Sequence, residues 1–171
     1  MSKAVLISIR PKWVEKIASG EKTIEVRKTR PKLDTPFKAY IYCSQGNDAR
    51  RLRGSWGKVI GEFTCDRIFP INVFDNGSIQ KWLFENLKRS CLTYEELADY
   101  IGNGKTGYGW HISDLLIYDQ PRELSEFQRA TDPCDSCHAE YTWECTGCKK
   151  LSGGIKRPPQ SWCYVEAMKD E

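Results

Sequence analysis

The chain has 171 residues, 40% of them apolar and 12% aromatic, which excludes an unfolded chain and suffices for one domain with a core, with or without a small appendage. No stretch approaches the ~20 consecutive apolar residues that span a bilayer, and the run Ala4 to Ile9, cut off by Arg10 and Pro11, is too short for a secretory segment, so a cytoplasmic protein with reduced thiols and no membrane partner is expected. The net charge of +3 conceals an asymmetry: Arg10 to Lys58 holds 13 Lys or Arg against 5 Asp or Glu, a surplus of +8 that leaves −5 for the rest. A basic segment of that size fits an anionic partner such as a phosphate backbone, or an incidental surface imbalance.

In chain order, "AVLISIR" reads as a first strand. "PKWVEKIASG" has Pro11 at a helix start, Trp13 and Ile17 four apart on one face, and Gly20 as a stop. "KTIEVRK" alternates, with Ile24 and Val26 on one face and Thr23, Glu25 and Arg27 on the other. "FKAYIYCS" alternates again after a Pro-containing turn, "SQGNDARRLRGSWG" is a basic loop, and "GKVIGEFTCDRIF" is a fourth strand. "SIQKWLFENLKR" and "TYEELADYIG" predict helices, the second with a capping box from Thr93 to Glu96. "GYGWHISDLLIYD" and "SWCYVEAM" complete the strands. Many strands at short spacing with few helices predict a mostly β, α+β fold, a compact barrel decorated by helices.

Four of the eight cysteines, Cys134, Cys137, Cys145 and Cys148, follow C-x2-C-x7-C-x2-C. Each C-x2-C turn points two sulfurs at one place, and seven intervening residues are enough for a hairpin that brings the turns together. That arrangement suits a structural tetrahedral Zn²⁺; two disulfides or a C-x-x-C redox pair are the competing readings, which a reducing compartment disfavours. His138 adjoins the cluster as a spare ligand. Cys43, Cys65 and Cys163 in strand-like runs, and Cys91 in a helical one, read as core packing.

Gly20, Lys22, Glu25 and Arg27 form the pattern G-x-K-x-x-E-x-R directly after a short helix. This resembles the signature of the ASCH domain, whose fold is the PUA-like β-barrel. The order of elements over residues 4–125 and the ending "RPPQSWCYVE" resemble that family too. The resemblance implies an ASCH domain over 1–130 and 151–171, interrupted by a zinc-knuckle insertion at 131–150. It also implies binding of RNA or a nucleotide-like ligand in a cleft. Arg27 offers a fork of donors and Lys22 a point charge for phosphate or carbonyl oxygens. Glu25 shares a strand face with Arg27 and either orients it or accepts from a base amine. Arg10 and Glu62 are candidates to complete the pocket, Trp110 in "GYGWHIS" is a core tryptophan first and a candidate to stack a base second, and Arg50, Arg51 and Arg53 are candidates to contact phosphates. The competing reading of Glu25 and Arg27 is a solvated ion pair worth under about 1 kcal/mol; as strand-surface charges, Lys22 and Arg27 are expected to be replaceable by Ala with little loss of stability.

An enzyme is the alternative. The family's acetylcytidine-hydrolysing branch resembles this chain at Lys22 and Glu62, but Glu25 stands where that branch has a hydroxyl. Thr23 is the nearest hydroxyl on the same strand face. A carboxylate beside Lys22, from Glu25 or Glu62, remains a candidate general base for a nucleoside amidohydrolase or a ribonuclease.

Overall fold

A computed structural model describes residues 2–45, 56–74, 76, 78, 87–130 and 154–168. Among these, β1 (Lys3–Ile9), α1 (Pro11–Ala18), β2 (Ile24–Arg27), β3 (Phe37–Cys43), β4 (Lys58–Asn72), α2 (Tyr94–Ile101), β5 (Thr106–Glu123) and β6 (Trp162–Glu166) follow one another. The strands form a mixed six-stranded sheet in the order β2-β5-β4-β3-β1-β6. The class is α+β, as the sequence predicts.

The chain divides into two compact units. The first comprises Met1–Pro11, Lys38–Glu62 and Leu116–Glu171, the second Lys12–Phe37 and Phe63–Leu115. In the first, β1 runs parallel to β3, with Val5 opposite Ala39 and Ile7 opposite Ile41, and antiparallel to β6, with Leu6 opposite Cys163. Both faces of β1 and β3 are largely buried. The two apolar runs therefore read as central strands with neighbours on both faces. Ala4, Leu6, Tyr40, Tyr42, Val59, Phe127, Ile155 and Val165 build this unit's core.

In the second unit β2 pairs antiparallel with β5. Ile24 and Val26 pack with Ile71, Val73, Leu87, Leu97, Ala98 and Ile101. Gly109 lies opposite Val26, where a Cβ would stand 2.4 Å from the Phe69 ring; only a glycine lets that ring close over the strand. The capping box of α2 forms as expected: Glu96 N–H donates to Thr93 Oγ1 at 3.1 Å and Thr93 N–H to Glu96 Oε2 at 2.9 Å.

Cys43 and Cys65 are buried free thiols in strands, as expected. Cys91 departs from its helical reading. It follows a 3-10 turn over Lys88–Ser90 with φ of 59°, partly exposed, its Sγ 3.6 Å from the Glu21 carbonyl oxygen. It terminates a turn and is not packed in the core. Most of the helix expected over residues 78–89 lies outside the described residues, as does the insertion at 131–150.

Candidate functional site

The chain enters the motif through a tightly specified turn. Helix α1 ends at Ala18, and Gly20, with φ of 77°, reverses the backbone in the left-handed region that favours glycine. Lys22 N–H then donates to Lys16 O at 2.8 Å, Thr23 N–H to Arg89 O at 2.9 Å, and Ile112 N–H to Thr23 O at 2.9 Å. Three segments thus fix the two residues that precede β2.

Lys22 is only 2% exposed. Its ammonium lies 2.8 Å from Ile24 O, 2.7 Å from Ser90 O and 3.2 Å from Glu25 Oε2. An ammonium has three donors, and here each has a protein acceptor. The other oxygen of Glu25 lies 2.9 Å from an Arg27 nitrogen. Glu25 is 6% and Arg27 7% exposed. Two cations and one anion are thereby held in the interior of the unit. The expectation of solvated strand charges is corrected: the polar face of β2 is buried as well as its apolar face. Truncating one partner of such a network strands a charge in a poorly solvated place and costs about 3–5 kcal/mol, so Lys22 and Arg27 are not replaceable by Ala without loss of stability.

Trp13 of α1 flanks this network. The Lys22 ammonium sits 5.2 Å and that of Lys12 4.3 Å from its ring centroid. Trp13 is half-buried and Lys12 exposed.

Trp110 lies opposite Glu25 in the β2–β5 ladder, and Tyr108 opposite Arg27; paired residues share a face. Trp110 is fully buried and packs edge-on against Phe37, centroids 5.8 Å apart at 84°. With no exposed ring face it is a core tryptophan, which agrees with the weightier of its two sequence readings and removes it as a candidate for stacking a base. Arg10 is exposed after β1. Glu62, in the other unit, accepts from Tyr118 Oη at 2.5 Å and pairs with Lys38 Nζ at 2.9 Å. Burial, and after it the Glu62 carboxylate, raises the Tyr118 phenol well above its ordinary value.

Arg50, Arg51 and Arg53, and the cysteines Cys134, Cys137, Cys145 and Cys148, lie outside the described residues. Among the described residues no three His, Cys, Asp or Glu side chains converge as metal ligands, and no helix is long and apolar enough to cross a membrane.

Three contributors escaped the sequence. Ser90 supplies a carbonyl to Lys22, and a main-chain acceptor leaves no trace in residue type. Trp13 reads from the sequence only as one side of a helix. Asp66 Oδ1 lies 2.6 Å from His111 Nδ1, across 45 residues of chain. Thr23 Oγ1 is buried with no hydrogen-bond partner among the described residues.

No protein-family model matches the chain, and no curated protein does. Solved structures do match. Two point mutants of the Zymomonas mobilis ASCH protein, one serine-to-alanine and one tyrosine-to-phenylalanine, align with TM-scores of 0.60 and 19% identity. They cover 95% and 96% of this chain and 88% and 91% of theirs. A further structure of ASCH from Zymomonas mobilis aligns with a TM-score of 0.55 and 20% identity, over 95% of this chain and 87% of that one. The fold is the ASCH fold. The motif and the order of elements anticipated it. The likeness is one of fold, so the chemistry rests on this chain's own residues.

Proposed function

We propose that the protein is an ASCH-fold binding module that takes RNA or a nucleotide-like ligand beside the Lys22–Glu25–Arg27 network, with a structural zinc in its cysteine-rich insertion. The buried ion triad carries this reading. Buried ion pairs seldom stabilise a fold better than an apolar set of the same volume, and clustered ionisable groups in the interior are a mark of functional sites. The triad is cationic by two to one, and the segment around it, Arg10 to Lys58, has the +8 surplus noted above. Both features suit phosphate. Commitment of all three Lys22 donors to protein acceptors favours binding over catalysis, because Lys22 then orients Glu25 and has no donor left to direct at a reacting group. Arg50, Arg51 and Arg53, outside the described residues, are further phosphate contacts in this reading on their charge alone.

Native mass spectrometry of the protein purified from cells tests the ligand class. A retained nucleotide or oligonucleotide is expected, and its absence from Glu25→Gln would place it at the triad. A ligand retained equally by that variant contradicts the placement.

The zinc reading rests on the cysteine spacing alone. Four thiolates leave no open position for a catalytic water, so the metal would only order residues 131–150. Elemental analysis is expected to return about one zinc per chain; a metal-free protein with Cys134 and Cys137 joined as a disulfide overturns it.

A hydrolase is the second reading, favoured by one observation: Thr23 presents a buried hydroxyl with no partner among the described residues. Deacetylation of acetylcytidine by the wild type, lost in Thr23→Ala, would put this reading first.

A further inference from the structure

We infer that Trp13 is the aromatic platform on which the ligand's base stacks, and that Lys12 moves off its ring to meet the phosphate. This deepens the nucleotide reading and rests on it. The fold removes Trp110, the aromatic that the sequence offers, because its ring is wholly enclosed. It supplies another in Trp13, which is half-buried and lies against the ammonium of Lys22, the residue that holds Glu25. Lys22 is anchored by two carbonyl oxygens and a carboxylate, so it fixes the ring beside the triad. Lys12 differs. It is exposed, on a flexible stem, and lies over the same ring at 4.3 Å. A cation over a partly exposed indole is a weak contact, and a stacked base is a stronger one. Displaced by a base, the Lys12 ammonium stays tethered one residue from the platform, within reach of the phosphate of the same nucleotide. The chemical class is therefore a nucleotide with both base and phosphate, recognised by stacking and charge and tolerant of base identity.

The test titrates the full chain with a short oligouridylate and, separately, with inorganic phosphate, following heat of binding and tryptophan fluorescence. Wild type is expected to bind the oligouridylate with quenching. Trp13→Phe keeps an aromatic face and should bind within a few-fold of wild type, without the quench that stacking on Trp13 causes. Trp13→Leu keeps apolar bulk without a π face, so its melting temperature should stay close to wild type while affinity falls by about tenfold to a hundredfold. Weak binding of phosphate should be the same in all three proteins. An oligouridylate affinity unchanged in Trp13→Leu, or a quench of equal size in Trp13→Phe, overturns the platform while leaving nucleotide binding intact. A wild type that binds no oligouridylate overturns the nucleotide reading and the platform with it.

Discussion

Two charged networks, one in each unit, both centre on a glutamate paired with a lysine and have different surroundings. Lys22, Glu25 and Arg27 are each under a tenth exposed, with Glu25 paired to both cations and Lys22 bonded as well to two main-chain carbonyls. Lys38 and Glu62, joined by Tyr118, keep 27% and 18% of their side-chain surfaces in solvent. Water screens the second pair, and its side chains adjust when one is changed. The first triad has no such freedom, so each member depends on the others. Charges that are expensive to hold are positioned; charges that are merely tolerated are not.

The largest effect should come from breaking the inner network. Glu25→Ala leaves two cations in the interior and should cost about 3–5 kcal/mol, read from denaturant unfolding. Glu62→Ala, in the partly solvated network, should cost about 1 kcal/mol. Equal losses at the two sites would erase the distinction between them.

Alkaline pH acts next. Burial raises the Cys65 thiol from 9.0 to about 12, and the Tyr118 phenol is raised from 10.0. Both groups keep protons in the folded chain at pH values where the unfolded chain has lost them. Their contribution to stability is complete below about pH 9 and is lost as pH rises through the folded values. Glu62→Gln should move the Tyr118 titration, followed by ultraviolet absorbance, back toward its ordinary value, leaving the part due to burial. A Tyr118 titration unmoved by that change would show that the carboxylate does not act on the phenol.

The smallest effect serves as a reference outside both networks. Thr93→Ala removes the N-cap of α2 and should cost about 1 kcal/mol, with no change in ligand binding.

The sequence made the motif legible because it is local. Alternation places Glu25 and Arg27 on one side of β2, and their 2.9 Å contact is what a period of two requires. Alternation says nothing of what lies over that side. Trp13 comes from α1, the Ser90 carbonyl from a turn 68 residues away, and Trp110 from the neighbouring strand. A charged face thus passes for a solvated one until the fold brings its cover. Trp110 stayed open between core and stacking for a related reason: its enclosure depends on Phe37, remote in sequence. Cys91 belongs to a left-handed turn that the helical pattern before it hides. By contrast α2 announced itself through Thr93 and Glu96, since a capping box is complete within four residues.

Hydrogen–deuterium exchange with and without a saturating oligouridylate tests the central claim, that the ligand is held beside the buried triad. Protection on binding is expected over residues 11–27 and 106–112, which carry Trp13, the triad and its partner strand. Binding accompanied by protection elsewhere and none over those two segments would contradict it.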